Sequence, residues 1–375
     1  MTPSIAYNAT IVGPSPSGLG VYASELLYHL ESHYKGIRVY TSFPEGCRVH
    51  HSSVRKLSSF VQPNLGARGH VIRLLWLQFM LPWKLVREET SLLFSPLPEG
   101  MLTSTIPQIV VVHDLLPLLF PSEYPRQQYY FRFLVRAMTK RARTVVAVSE
   151  NTKRDIMKFY GVPSWNIQVI YPGHNPEQFH ASIDPSSIVQ KYGLKRYFLY
   201  VGNHLPHKNL KRLIQAFSHV HTFIPHQLVI AGKKDVRYSP ALEAQCEVGH
   251  LHKRVVFLDY FPSHELPGLY AGAEALVFPS LGEGFGLPLV EAMACGVPVI
   301  TSGASSMLEV VGRAGVLVDP YNIEQIGEAM VTVANDPNIR EEMKGNGLSC
   351  VGDFTWGRAA HEMSQLFNRE GFSAT

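Results

Sequence analysis

The sequence predicts an α/β protein built as two Rossmann-like, doubly wound parallel-sheet domains facing a cleft, and three observations predict it. Short β-branched runs bounded by Gly, Pro or polar residues recur along the chain, with helix-length segments between most of them. That alternation produces parallel sheets covered on both faces. The 375 residues exceed the size at which one hydrophobic core usually keeps growing. The rhythm then breaks once, at YPGHNPEQFHASIDPSS (171–187), a stretch rich in Pro, Ser and Asn that reads as a linker between two α/β units.

Taken in order, the strand runs are SIAYNATIV, IVVVH, TVVAVS, YFLYVG, QLVIAG, VVFL, ALVFPS, VPVIT and GVLVD. One connecting helix is legible in detail: Ser149 is a good N-cap, ENTKRDIMKFY follows, and Gly161 with Pro163 supplies the stop. A composition 46% hydrophobic and 17% charged suits a packed globular protein, and a net charge of +4 is too small to argue for a nucleic-acid partner. Cys47, Cys246, Cys295 and Cys350 have no paired spacing of the kind that binds zinc or forms a redox dithiol, so reduced thiols and a cytosolic location are expected. The start, MTPSIAYNATIVG, has no basic region ahead of a long apolar stretch, and no uncharged run reaches membrane-spanning length.

Open parallel sheets bind ligands outside the carboxyl ends of their strands. The residues there are His113 and Asp114, Asn203 and His204, Lys233, Glu283, and Thr301 with Ser302. In EGFGLPLVEAMACG, Gly284 and Gly286 let backbone approach a ligand, Pro288 suits the first helical turn and Gly296 can end the helix. A loop feeding a helix N-terminus favours a phosphate. Two carboxylates, Glu283 and Glu291, would be tolerated beside a diphosphate only if they bind hydroxyl groups flanking it. The plainer reading is a glycine loop with two solvated glutamates. Lys208, at the entrance of the helix in YVGNHLPHKNLKRLIQAF, can neutralise a phosphate, although lysines are common at helix starts. Gly18, Gly20 and Ala23 match G-x-G-x-x-A, but PSPS intervenes before them and IRVYTS ends without an acid, so a nicotinamide site is rejected and a glycine-opened helix facing phosphate is kept. His113 ends a buried strand, where a satisfied core histidine is the plainer alternative. No H-E-x-x-H or D-x-D pattern is present, so no metal and no cofactor are expected.

Together these pieces resemble the retaining glycosyltransferase family 4, of the two-Rossmann GT-B fold. The likeness is specific over 197–320, through YVGNHLPHKNL, LVIAGK, FPSLGEGFGLPLVEAMACGVPVITSGASS and GVLVDP, and looser at SGLGVYASEL, VVVHDLLPLLFP and VSENTKRDI. It implies an acceptor-binding domain over 1–175, a nucleotide-sugar-binding domain over 176–354, and a final helical segment, 355–375, packed back on the first. It implies that Glu283 contacts the donor sugar, Glu291 the ribose, the backbone of Phe285, Gly286 and Leu287 the diphosphate, Lys208 the phosphate and His113 the sugar. The catalytic set is then His113, Lys208 and Glu283. The donor-binding set is Gly18, Gly20, Gly202, Asn203, Lys208, Gly232, Lys233, Gly284, Phe285, Gly286, Leu287 and Glu291. Where many members carry an arginine shortly before the lysine, this chain has Asn203, His204 and His207, which puts more weight on Lys208. PHKNLKRLIQAF and HDLLPLLFP look similar to bacterial mannosyltransferases of surface polysaccharide assembly. GDP-mannose is the first expected donor, with UDP-glucose or a deoxysugar nucleotide behind it, and a glycan or lipid-linked acceptor. A sugar-nucleotide epimerase or a non-catalytic nucleotide-sugar-binding protein of the same fold are the other classes.

RGHVIRLLWLQFMLPWKLVREE (68–89) has apolar residues on every face of a 3.6-residue helix up to Pro82, which predicts a helix buried within the first domain. Against that, Arg68, Arg73, Lys84 and Arg87 bracket Trp76 and Trp83, and RQQYYFRFLVRAMTKRAR adds six more cations. This mix suits peripheral attachment to a membrane surface at its cytoplasmic face.

Overall fold

The computed structural model describes residues 4–14, 17–49, 53–259 and 261–372. Residues 1–3 of the N-terminal stretch, and Ser15 and Pro16 of the PSPS loop, lie outside them. The chain divides into two compact units, one of residues 1–172 with 356–375 and one of residues 173–355.

The first unit is built on a seven-stranded sheet: β1 (Ile5–Asn8), β2 (Arg38–Thr41), β3 (Ser53–Lys56), β4 (Leu92–Ser95), β5 (Gln108–Val112), β6 (Thr144–Ala147) and β7 (Ile167–Val169), in the order β3-β2-β1-β4-β5-β6-β7. Every neighbouring pair is parallel. Central strands such as β4 and β5 are buried throughout, whereas the edge strand β3 exposes Arg55 and Lys56, charges that discourage pairing with another chain. The second unit carries β8 (Tyr197–Val201), β9 (Gln227–Ala231), β10 (Val255–Leu258), β11 (Ala275–Phe278), β12 (Val299–Ser302) and β13 (Gly315–Val318), ordered β10-β9-β8-β11-β12-β13 and again all parallel. The strand order reverses between β1 and β4 in one sheet and between β8 and β11 in the other, the crevice positions of doubly wound folds.

Local chemistry explains where elements end. Ser149 Oγ accepts from the Thr152 N–H at 3.0 Å to open the helix Glu150–Tyr160, and Gly161, at φ 67°, closes it with its N–H on the Met157 carbonyl. The helix Trp356–Arg369 belongs to the first unit, where Phe367 meets Phe94 edge-on at 5.3 Å and the Tyr34 hydroxyl donates to Asn368 Oδ1 at 2.8 Å. All four cysteines are free.

The stretch 68–89 departs from the buried helix the sequence suggests. Helix Gly66–Leu75, a π-turn over Trp76–Met80 and helix Leu81–Arg87 run on continuously. Gly69, Arg73, Leu77, Leu81 and Leu85 face inward, while Val71, Ile72, Leu75, Phe79, Met80, Trp83 and Val86 are exposed. Inward positions four apart drift by about 40° per step on an ideal α-helix, which is why a regular helical projection spreads the apolar residues over every face. The wider π-turn takes up that drift and keeps the two stripes apart.

Candidate functional site

In the second unit the loops leaving the neighbouring strands β8 and β11 bring together side chains 75 positions apart in sequence. Gly202 and Gly232 lie at the ends of β8 and β9, and a Cβ on Gly232 would stand 2.1 Å from the Gly202 carbonyl oxygen. Only glycine permits that approach, which lets the two loops leave the sheet side by side. Past Gly202 the chain makes a short turn, Pro206–Lys208, and then Asn209 adopts φ 64° to start the helix Leu210–Val220. Asparagine tolerates this left-handed conformation better than most residues. Its buried amide Nδ2 donates to the carbonyls of Pro279 at 3.0 Å and Pro320 at 2.6 Å, which ties the turn to the loops after β11 and β13.

Lys208 is held by this anchor. Its Nζ lies 2.6 and 2.8 Å from the two carboxylate oxygens of Glu283 and 5.4 Å from the centre of the Phe278 ring. The two charged side chains are 14% and 9% exposed, so the pair is largely shielded from water, and its attraction is correspondingly stronger than on an open surface. The backbone of the Glu283 loop is pinned by two serines: Ser305 Oγ and Ser306 Oγ donate to the Glu283 carbonyl at 2.6 and 3.0 Å, and Ser306 Oγ also to the Phe285 carbonyl at 3.0 Å. Phe285 packs edge-to-face on Phe354 at 5.5 Å. Gly286, at φ 104°, caps the helix Leu287–Ala294, whose first turn holds Pro288. A side chain at Gly286 would press on Leu289 at 2.9 Å.

One turn into that helix, Glu291 Oε2 accepts a hydrogen bond of 2.8 Å from the hydroxyl of Tyr270, itself fully buried. Burial pushes the Glu291 carboxyl up to about 7, and the Tyr270 bond pulls the other way, so near neutral pH a large fraction of it is protonated. Asn203 and Lys233 are exposed at the strand ends, and Gly284 lies between the pinned Glu283 and Phe285. Among the described residues no group of three or more His, Cys, Asp or Glu side chains is gathered as a metal would require.

His113, Gly18 and Gly20 belong to the first unit. His113, at the end of β5, has Nε2 2.8 Å from the Pro96 carbonyl oxygen, so that nitrogen must carry the proton. Burial lowers its pKa to about 4, leaving a neutral ring at pH 7, held edge-on by Tyr22 at 4.5 Å. Gly18 opens the helix Gly18–Leu30, and the Gly20 N–H is taken by the N-cap Ser17 Oγ at 3.2 Å. A pocket of about 230 Å³ beside it is lined by Val12, Gly13, Pro14, Gly20, Ser24, Phe43 and Gly46.

The structure therefore gathers Lys208, Glu283, Phe285, Gly286 and Glu291 around one loop and one helix start. Asn209, Tyr270, Ser305 and Ser306 support them and were not read from the sequence. Asn209 and the two serines adjoin residues already singled out. Tyr270 comes from a separate helix, Leu266–Ala271, with no pattern to mark it. An ammonium and a helix N-terminus suit a bound anion, and flanking carboxylates suit hydroxyl donors.

Residues 186–349 match the family model of glycosyl transferases group 1, and residues 16–178 that of glycosyltransferase family 4. The O-antigen chain mannosyltransferase RfbU of Salmonella typhimurium is 34% identical over 257 residues, 64% of this chain and 69% of that protein. The O-antigen chain mannosyltransferase B of Escherichia coli is 30% identical over 254 residues, 66% of each. The alignments thus span about two thirds of these relatives' own length. Among solved structures, sucrose-phosphate synthase from Thermosynechococcus elongatus superposes with a TM-score of 0.80 at 19% identity, covering 98% of this chain and 99% of that one. Anabaena HepE in complex with UDP-glucose gives 0.75 at 18% identity, covering 98% and 99%. These two likenesses establish the fold.

Proposed function

Since this chain belongs to the glycosyltransferases of group 1 and family 4, we propose that it is a retaining hexosyltransferase that uses GDP-mannose and glycosylates a hydroxyl of a glycan or lipid-linked acceptor in the cytoplasm. The names of the two O-antigen relatives support mannose as the sugar. The observation that carries the reading is the Lys208–Glu283 pair beside the start of the helix Leu287–Ala294, with Glu291 one turn further in. A helix start lies between two carboxylates within nine residues, EGFGLPLVE, and the Lys208 ammonium sits on the first of them, a set that matches the phosphates and hydroxyls of a nucleoside diphosphate sugar.

In this reading Glu291 takes the ribose hydroxyls, the helix start and Lys208 take the diphosphate, and Glu283 takes a hydroxyl of the donor sugar. The bond from the anomeric carbon to the diphosphate oxygen breaks through an oxocarbenium-like state, and Lys208 stabilises the charge growing on the leaving phosphate without need of a metal ion. The acceptor oxygen bonds to the anomeric carbon on the same face, and its proton passes to the departing phosphate oxygen. UDP-glucose is the second reading, since one structural neighbour holds that compound. The test is a panel of nucleotide sugars read by thermal stabilisation, followed by transfer to a mannose-terminated acceptor. GDP-mannose should stabilise the protein most and give an α-linked product. Stabilisation by UDP-glucose alone would move the donor assignment, and conversion of the donor without an acceptor would mean an epimerase.

A further inference from the structure

We infer that the first unit docks on an anionic lipid bilayer through the outer faces of two neighbouring helical stretches, 66–87 and 127–141. The first presents Val71, Ile72, Leu75, Phe79, Trp83 and Val86, with Phe79 71% and Trp83 58% exposed. The second runs as Gln127–Tyr129, a π-turn over Tyr130–Val135 and Arg136–Arg141, and it exposes Tyr129, Phe133 (65%) and Leu134. His70 of one and Tyr130 of the other are in edge-to-face contact at 5.0 Å, so the two stretches touch there. Apolar residues this dense are not scattered surface exceptions, and a face of this kind marks an interaction surface.

Charge selects the occupant. Residues 66–87 and 124–143 hold ten of the 34 Lys and Arg of the chain and none of its 30 Asp and Glu, so the rest of the chain carries six more acids than bases. Arg73 is inward and paired with Glu99 at 2.7 Å, but Arg68, Arg87, Arg132, Arg136 and Lys140 are exposed. Cations interleaved with exposed Trp, Phe and Tyr fit the boundary between lipid headgroups and acyl chains. A second copy of this chain does not fit as well, because a two-fold contact would set this cationic face against itself. Among the described residues no helix is long and apolar enough to cross a membrane, so the attachment is superficial.

The full chain is sedimented with vesicles of equal parts phosphatidylglycerol and phosphatidylcholine, and with phosphatidylcholine alone, at low and high salt. Binding should be restricted to the anionic vesicles, weaken as salt screens the surface charge, and fall roughly 25-fold in Arg132→Gln/Arg136→Gln, about fivefold per cation. Trp83 emission should shift to the blue on binding, and Trp83→Phe should lose that shift. Phe79→Ser/Phe133→Ser should reduce binding further while leaving the far-ultraviolet circular dichroism and the melting transition of the chain unchanged, which shows that the first unit still folds, and leaving stabilisation by nucleotide sugar unchanged, which separates this result from the donor assignment. Equal recovery with both vesicle types, binding with no Trp83 shift, or a concentration-dependent dimer abolished by Phe79→Ser would each overturn the inference.

Discussion

Replacing Glu291 by Gln should stabilise the ligand-free protein at alkaline pH while weakening its hold on the donor. The folded chain raises this carboxyl from 4.5 to about 7, chiefly by burying it. At 1.36 kcal/mol per pKa unit, the ionised form then costs the fold up to about 3 kcal/mol, an upper bound because the side chain keeps part of its contact with water. The favoured form is the neutral one. Its contribution is therefore present in full below about 4.5 and is lost as pH rises through about 7. Wild type should lose thermal stability between pH 5 and pH 8, and Glu291→Gln should lose less. A donor whose ribose hydroxyls donate to Glu291 selects the ionised form instead. Wild-type affinity should accordingly fall about tenfold from pH 8 to pH 6, as the ionised fraction drops to roughly a tenth. The Gln variant should bind about 1 to 3 kcal/mol more weakly, with little slope. Titration calorimetry with an intact nucleotide sugar is the suitable assay, because its diphosphate is esterified at both ends and does not titrate in this range. Equal pH slopes for the two proteins, in stability and in affinity, would refute the argument.

Lys208→Ala should lower turnover by roughly two to three orders of magnitude, the scale for losing one preorganised charge stabiliser; a loss under threefold would remove Lys208 from the mechanism. Transfer should persist in EDTA, since Lys208 supplies the positive charge, and activity abolished by chelation and restored by manganese would contradict that. Tyr270→Phe removes the hydrogen bond that holds the Glu291 carboxyl down, so the pH midpoint of donor binding should move upward. A downward shift would mean the tyrosine is not what stabilises the carboxylate.

The site was legible where one stretch of chain carries it. EGFGLPLVE displays its glycines, proline and carboxylates within a single loop and helix start, and Gly286 and Pro288 occupy the cap and the first turn as their chemistry requires. The same holds for the helix Glu150–Tyr160, bounded by Ser149 and Gly161. β3, β4 and β7 were passed over: SVRK is an edge strand whose charges hide the alternation, and LLFS and IQV are too short to stand out from their surroundings.

The alternation of strands with helices, the doubly wound class and the glycine–proline loop that opens the helix Leu287–Ala294 were legible in the sequence alone, because each depends on residues within one turn or one strand of each other. Contacts over long separations were decided only by the tertiary structure. Lys208 meets Glu283 because β8 and β11 are neighbours in the sheet, and Glu291 is pushed toward neutrality because the core around it takes its water away, against the pull of the Tyr270 hydrogen bond. Between Trp76 and Met80 a π-turn changes the helical period, so residues that a regular helix would spread around its circumference form one buried stripe and one exposed one.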